Sequence, residues 1–511
     1  MPRAMRVLVF HGYLLRGTGS NVYNARLCAA LARSGHTVDL LSQERHAHEL
    51  DYVDAIGTWE RGRAQVEVLR EPVRVTAWRP DIGGLLPVYV LDRYEGLEAR
   101  TLLECSDDEV EEYVAANVAA VRDVCARAAP DVALANHLVM GPAIVARGLD
   151  GAAPYAVKVH GSALEYVVKR DPQRFLPWAR EGLAGASAVL VGSRHTGESL
   201  WEAMGDSELP ARTRLGPPGV DVDEFRPRAD PAADLRALAR RLAASEDEPG
   251  EGAFARDAGE AARALESLDL DYDRHVCFIG KLIVSKGVDL LLAAWPLVPE
   301  ARLVVVGFGA FRDGFQRLLD ALARGDRDEV RAIAQAGREL EGGPRAPLRH
   351  LLAFLDGADD DYWEAARDLP RRVVLTGRLE HDELAPLLAG CEALVFPSTF
   401  PEAFGMVAAE AAACGALPVS AGHSGAAEVS AMLAAAVPQE AREWLSFPVD
   451  DDAVRAIATR VTAWLEAPEE LRERTRAALV ATAREHYSWE GVAAGVVAAA
   501  RGQLEALPPV A

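Results

Sequence analysis

The sequence predicts two doubly wound α/β halves on one chain, and three observations predict them. Short apolar runs alternate with helical stretches, the rhythm of a parallel sheet with helical crossovers. The rhythm breaks at the turn-rich Leu215-Gly216-Pro217-Pro218-Gly219 and then restarts. Half of the 511 residues are hydrophobic, enough to bury a sizeable core.

Arg6–Phe10 reads as the first buried strand and is too short for a signal-peptide core. Val22–Ser34 follows as a helix, with apolar residues three and four apart and Gly35 as its stop. Thr37–Leu41, Val132–Ala135, Tyr155–Val159 and Ala188–Val191 are the further strands of the first half. In the second half, Val276–Ile279, Arg302–Val306, Val373–Leu375, Ala393–Phe396 and Leu417–Val419 take that place. Two segments interrupt the pattern. Residues 228–274 are rich in Ala, Asp and Glu around a solvated loop at Ser245–Gly252. Residues 311–372 are helical and carry Asp359-Asp360-Asp361, which reads as solvated surface rather than a metal site.

The net charge of −22 excludes general nucleic-acid binding, because no basic excess replaces phosphate counterions. Six cysteines lie far apart with no CxxC pair, which fits a reduced, cytoplasmic chain without a disulfide framework or zinc site. No run approaches the ~18 apolar residues of a membrane span. Peripheral membrane contact stays open, since an interfacial helix needs only an apolar face.

Four stretches carry chemistry. Gly17-Thr18-Gly19-Ser20-Asn21 follows the first strand and opens a helix, where glycines let backbone N–H groups approach an anion. The dinucleotide fingerprint fails, because bulky Tyr23 or Asn24 stands at its third glycine position, so a dehydrogenase is poorly supported. His137 and His160 each sit at a strand end, where parallel sheets present their sites. Gly280-Lys281 and Lys286-Gly287 put two ammonium groups on one glycine-flanked loop, which suits a departing diphosphate. Finally, Phe396–Ala411 runs from a strand through a loop bearing Glu402 to a helix that starts at Gly405 and contains Glu410. The neighbouring alanines bury that helix all round, so Glu410 needs a partner or a ligand.

The order of these pieces resembles the family-4 retaining glycosyltransferases of the GT-B fold. Glu402 and Glu410 match that family's E-x7-E motif. Gly280-Lys281 and Lys286-Gly287 match its G-R…K-G segment, with lysine in place of arginine at 281. Gly377-Arg378-Leu379 with Leu384 and Leu387 matches "GRL…L…LL", and Gly219-Val220-Asp221…Phe225 matches "NGVD…F" with Pro218 in place of Asn. The resemblance covers most of 5–225 and 275–500 and neither insertion.

The resemblance implies two Rossmann-like domains facing across a cleft. Residues 1–215 would bind acceptor and 216–484 the nucleotide sugar, with a last helix in 485–511 packing back on the first domain. Lys281 and Lys286 would hold the donor diphosphate, and Glu402 the sugar hydroxyls. The N–H groups of Phe404, Gly405, Met406 and Val407 would lie close by, and Glu410 would hold the ribose. Arg378 and Leu379 would lie along the base, and His160 near the reacting centre. Gly17 and Gly19 would close the donor pocket, with Asn21 and His137 on the acceptor side. The implied reaction moves a hexose to a small-molecule, glycan or lipid-linked hydroxyl, with retention and with no metal or other cofactor. Two alternatives share the architecture: a sugar-nucleotide epimerase or glycosyl phosphorylase, and a non-catalytic nucleotide-sugar-binding protein. Both insertions read as decoration, because every matched motif lies outside them.

Overall fold

Strands buried on both faces build one large parallel sheet in each of two units. The computed structural model describes residues 4–16, 19–89, 96–245, 256–270 and 273–510. Unit 1 comprises Met1–Gly219 with Trp489–Ala511, and unit 2 comprises Val220–Ser488. The break falls after Gly219 rather than at 215, because residues 216–219 stay with the first sheet. There Gly216 N–H bonds Val191 O, and Gly219 packs on Trp489.

The strands of unit 1 are β1 (Arg6–Phe10), β2 (Thr37–Leu41), β3 (Ala55–Glu60), β4 (Arg63–Val68), β5 (Val75–Trp78), β6 (Leu85–Val88), β7 (Glu98–Thr101), β8 (Val132–Asn136), β9 (Tyr155–Val159), β10 (Ala188–Val191) and β11 (Thr213–Leu215). Among the described residues the main sheet runs β11-β10-β9-β8-β1-β2-β5-β3-β4. All its pairs are parallel except the hairpin β3–β4. That hairpin turns on Arg61 and Gly62, both at positive φ, the two-residue turn that matches strand twist. The strands from β3 to β7 are absent from the sequence reading. β4 is an exposed edge rich in charge, without the apolar run that marked the others.

Unit 2 holds β12 (Arg274–Ile279), β13 (Ala301–Val306), β14 (Val373–Gly377), β15 (Ala393–Phe396), β16 (Leu417–Ala421) and β17 (Ser446–Phe447). The order is β14-β13-β12-β15-β16-β17, all parallel. The chain leaves β12 to one side and returns to the other at β15. In unit 1 it does the same between β1 and β8. Ligands of open α/β sheets bind at such switch points, beyond the carboxyl ends of the strands.

The insertions are part of the fold. Helices Pro231–Ala243 and Ala258–Glu266 bury Leu235, Leu238, Leu242, Ala261 and Leu265 in the core of unit 2. Asp359 accepts from Tyr362 N–H at the start of helix Asp360–Ala366, and Asp360 pairs with Arg327 at 2.5 Å, so the acidic triplet caps a helix. No described helix is long and apolar enough to cross a membrane.

The C-terminal helix Trp489–Ala500 packs on helix Gly19–Arg33 of unit 1. Trp489 is 2 % exposed and meets Tyr23 edge-on at 5.5 Å. A Cβ on Gly219 would stand 2.5 Å from its indole, so only glycine admits the ring. Trp489→Ala should therefore cost unit 1 about 3–5 kcal/mol. Denaturant unfolding followed within unit 1 checks this, and a loss below ~1 kcal/mol would show that the helix does not anchor there.

Candidate active site

In unit 2 the chemistry-bearing loops leave β12 and β15 and touch. The loop after β12 closes with one tight turn, Val284–Lys286, ended by Gly287 at φ +67°. A Cβ at Gly287 would lie 2.0 Å from Pro397 O, so the loops can approach only because the residue is glycine. Thr399 N–H and Ser398 Oγ both donate to Ser285 O, at 2.9 and 3.1 Å. This contact brings Lys286 Nζ to 2.5 Å from Glu402 Oε1, which also accepts from Ser398 Oγ at 2.5 Å. Ser424 Oγ accepts from Glu402 N–H at 2.8 Å and fixes the loop. Lys281 is exposed, while Lys286 is half-buried.

Helix Met406–Cys414 begins beside Glu402, with Gly405 as its first cap. Its leading N–H groups have no partner within the helix and favour negative charge. Phe404 is half-buried and edge-on to Tyr487 at 5.7 Å. Glu410 is 2 % exposed, and its charge is met by His381 Nε2 at 2.7 Å. Phe225 packs on the His381 ring at 5.0 Å. Arg378 pairs with Glu380 at 2.8 Å and lies over the Phe308 ring, next to buried Leu379.

The insertions reach these loops, which corrects their reading as decoration. Glu341, from the second insertion, accepts from Val284 N–H at 2.8 Å inside the two-lysine loop. Arg256, from the first, pairs with Glu383 at 2.8 Å and Glu380 at 3.7 Å. Glu341, Arg256 and His381 are the residues the sequence reading missed here. His381 stood one turn after the Arg378-Leu379 motif, where a histidine beside a buried glutamate was the available signal. A cavity of about 830 Å³ in unit 2, lined by Glu392, Cys414 and Arg476 among others, lies at the opposite ends of β15 and β16 from these loops.

In unit 1 three adjacent strands, β1, β8 and β9, each end in a histidine: His11, His137 and His160. The rings of His11 and His137 stack at 5.5 Å, and those of His137 and His160 lie 5.0 Å apart. His160 Nε2 meets Asn136 Oδ1 at 2.8 Å. Asn21 is buried, with His11 Nε2 on its Oδ1 and Arg16 O accepting from its Nδ2. These bonds tie the start of the helix to the end of β1. Gly19 opens its helix, and Gly17 lies outside the described residues. Burial lowers His11 to about 4 and pushes His137 and His160 well below the usual imidazole value, with their mutual repulsion adding to it. Beside them, Lys158 is buried and lowered by desolvation to about 7, and it donates to Gly216 O at 2.5 Å.

Comparison with known proteins matches both halves. The family described as "Glycosyl transferase 4-like domain" matches residues 18–219, and "Glycosyl transferases group 1" matches 361–480. The chain belongs to the family-4-like glycosyltransferases of the GT-B fold. Among relatives of this chain, the D-inositol 3-phosphate glycosyltransferase of Xylanimonas cellulosilytica is 28% identical over 50% of this chain and 45% of its own. That of Geodermatophilus obscurus is 28% identical over 67% and 58%. The chain thus spans about half the length of the curated relatives it matches. Sucrose-phosphate synthase from Thermosynechococcus elongatus shares the fold at 18% identity and TM-score 0.57, covering 98% of this chain and 100% of that one. Anabaena Alr3699/HepE in complex with UDP does so at 16% and 0.55, covering 96% and 98%.

The histidine cluster should make the fold acid-sensitive. The folded state holds the three rings neutral, while the unfolded state binds protons below pH ~6.5. Stability is complete above that value and falls as pH drops towards 4, each ring adding about 1.4 kcal/mol per pH unit. Among the described residues neither ring nitrogen of His137 has a hydrogen-bond partner. His137→Phe should then flatten the acid limb by about one proton while leaving stability at pH 7.5 near wild type. Denaturant midpoints measured from pH 4.5 to 7.5 read this out, and an unchanged slope would show His137 to be charged when folded.

Proposed function

We propose that the chain is a retaining glycosyltransferase that moves a hexose from a nucleoside-diphosphate sugar to a hydroxyl of a small-molecule, glycan or lipid-linked acceptor. The observation that carries this reading is the meeting of Lys286, Glu402 and a helix N-terminus at the switch point of unit 2. A cation, a hydroxyl-binding carboxylate and unpartnered amides suit a ligand with both phosphates and sugar hydroxyls. The relatives named as glycosyltransferases and the related fold in complex with UDP-glucose support it.

In this reading Lys281 and Lys286 balance the diphosphate as it leaves, with the N–H groups of Phe404 to Val407 beside them. No metal takes part. Glu402 orients the sugar through its hydroxyls. Glu410, held by His381, takes the ribose, and Arg378 with Leu379 the base. Unit 1 takes the acceptor, with His137 and His160 as neutral hydrogen-bonding groups. The acceptor oxygen bonds the anomeric carbon on the face from which the diphosphate departs, and a leaving phosphate oxygen takes the hydroxyl proton. Catalysis then rests on positioning and charge stabilisation, without the paired carboxylates of a retaining glycosidase.

Transfer from labelled UDP-, GDP- and ADP-sugars, compared with sugar 1-phosphates, tests the reaction class. Dependence on a sugar phosphate alone would indicate a phosphorylase instead. Lys286→Ala should lower turnover on the order of 10²-fold, the scale of one preorganised donor. Steady-state kinetics with unchanged turnover would remove Lys286 from the mechanism.

The two glutamates should separate. Glu402 is bonded to Lys286, so Glu402→Gln should release that lysine's charge. Calorimetry should find the bare nucleoside diphosphate bound as well as or better than by wild type, while sugar transfer falls. Glu410→Gln should weaken the bare nucleotide roughly tenfold or more, the value of a charge-assisted bond to a hydroxyl. Equal weakening in both variants would place Glu402 on the nucleotide itself.

A further inference from the structure

We infer that the loop after β2 binds one divalent cation of the zinc class through His46 Nδ1, His48 Nε2 and Glu49 Oε1. One ligand atom of each of these three residues lies within 4.8 Å of the other two. His46 Nδ1 is 3.3 Å from Glu49 Oε1, and His48 Nε2 is 3.9 Å from the same oxygen. Tetrahedral zinc, with bonds of about 2.0–2.1 Å, sets its ligand atoms roughly 3.3–3.4 Å apart. One edge of that tetrahedron is already formed, and the second needs to close by about half an ångström. Two imidazoles and one carboxylate select zinc, cobalt or nickel over magnesium or calcium, which take oxygen shells. The side chains are about half exposed, so a cation reaches them and water fills the fourth position.

The support beneath the loop is specific. Glu44 is buried, and its two oxygens accept from Leu15 N–H at 3.1 Å and His46 N–H at 3.0 Å. The other oxygen of Glu49 accepts from Arg16 Nη2 at 2.9 Å. Glu49 therefore faces the histidines with one oxygen and Arg16 with the other. A bound cation and the Arg16 guanidinium would share one carboxylate and repel each other. The three ligands belong to none of the groups given a role in transfer, so the site is separate from the reaction chemistry.

Calorimetric titration of the tag-free, chelator-stripped full chain with Zn²⁺, and optical titration with Co²⁺, test the site. Wild type should bind one cation at this loop, and Co²⁺ should show tetrahedral visible absorption. His46→Ala and His48→Ala should each weaken binding by about tenfold or more and abolish that absorption. Arg16→Gln should tighten binding, because it removes a competing positive charge. The ligands are exposed, so melting temperatures without metal should match wild type and exclude misfolding. The inference is overturned if the His46→Ala/His48→Ala double variant binds Zn²⁺ as tightly as wild type. It is equally overturned if Co²⁺ gives only an octahedral spectrum, or if Arg16→Gln weakens binding.

Discussion

The Lys286–Glu402 ion pair is the constraint on which the rest of unit 2 is built. Both side chains are less than a quarter exposed, so each charge needs an opposite charge near it. They stand 116 positions apart in sequence, and meet only because β12 and β15 are adjacent strands with touching loops. Gly287 must lack a side chain, Ser285 must accept from Thr399, and Ser398 and Ser424 must hold Glu402. In the proposed reading an anionic ligand at Lys286 would enter by exchange: it would replace one carboxylate on the lysine, and the released carboxylate would accept hydroxyls. In that reading, one pair of residues would thus couple diphosphate binding to recognition of the attached sugar.

A second carboxylate, Glu410, obeys the same rule with a different partner. Its helix is buried on every side, so His381 meets the charge inside the protein. Glu341 and Arg256 extend the pattern outwards. Each comes from an insertion, and each engages a loop or helix start that carries a motif. The insertions thus help to fix the site, although they share no motif with the resemblance. A carboxylate at Val284 N–H also places negative charge in the loop that carries Lys281 and Lys286. Anion affinity there is set by the balance of Glu341, Glu402 and the two lysines, rather than by the lysines alone.

The sequence made the parallel cores legible because their strands are continuous apolar runs. β1, β2, β9, β10 and β15 lie at the bounds read from that pattern. The edge hairpin β3–β4 was illegible for the opposite reason: β4 alternates polar with short apolar side chains, and its strand character comes from pairing with β3. The position of Glu402 on a loop and of Glu410 inside a helix followed from Gly405. The partners of both glutamates did not follow, since Lys286 and His381 reach them through tertiary contacts 116 and 29 residues distant. Asn21 shows the limit from another side. A polar residue after a glycine turn reads as ligand-facing, yet the fold turns it inward against His11 and Arg16 O.

The two units also divide their electrostatics. Unit 2 gathers formal charges at its strand ends, while unit 1 gathers groups that burial keeps neutral: three histidines at the ends of β1, β8 and β9. Lys158 is the exception, a buried amine with no acidic partner in its hydrogen bond to Gly216 O. Its low value follows from desolvation alone, and at neutral pH its population is divided between charged and neutral forms. Lys158 stands two residues before His160 and donates to the carbonyl of Gly216, three residues short of the unit boundary. Charging it raises the cost of charging His160, so the neutral histidine is enforced twice, by burial and by its neighbour. A neutral imidazole can both donate and accept a hydrogen bond, whereas an imidazolium only donates. Neutral groups of this kind suit the hydroxyl-orienting role proposed for unit 1, and the charged groups of unit 2 suit the phosphate-holding role proposed there.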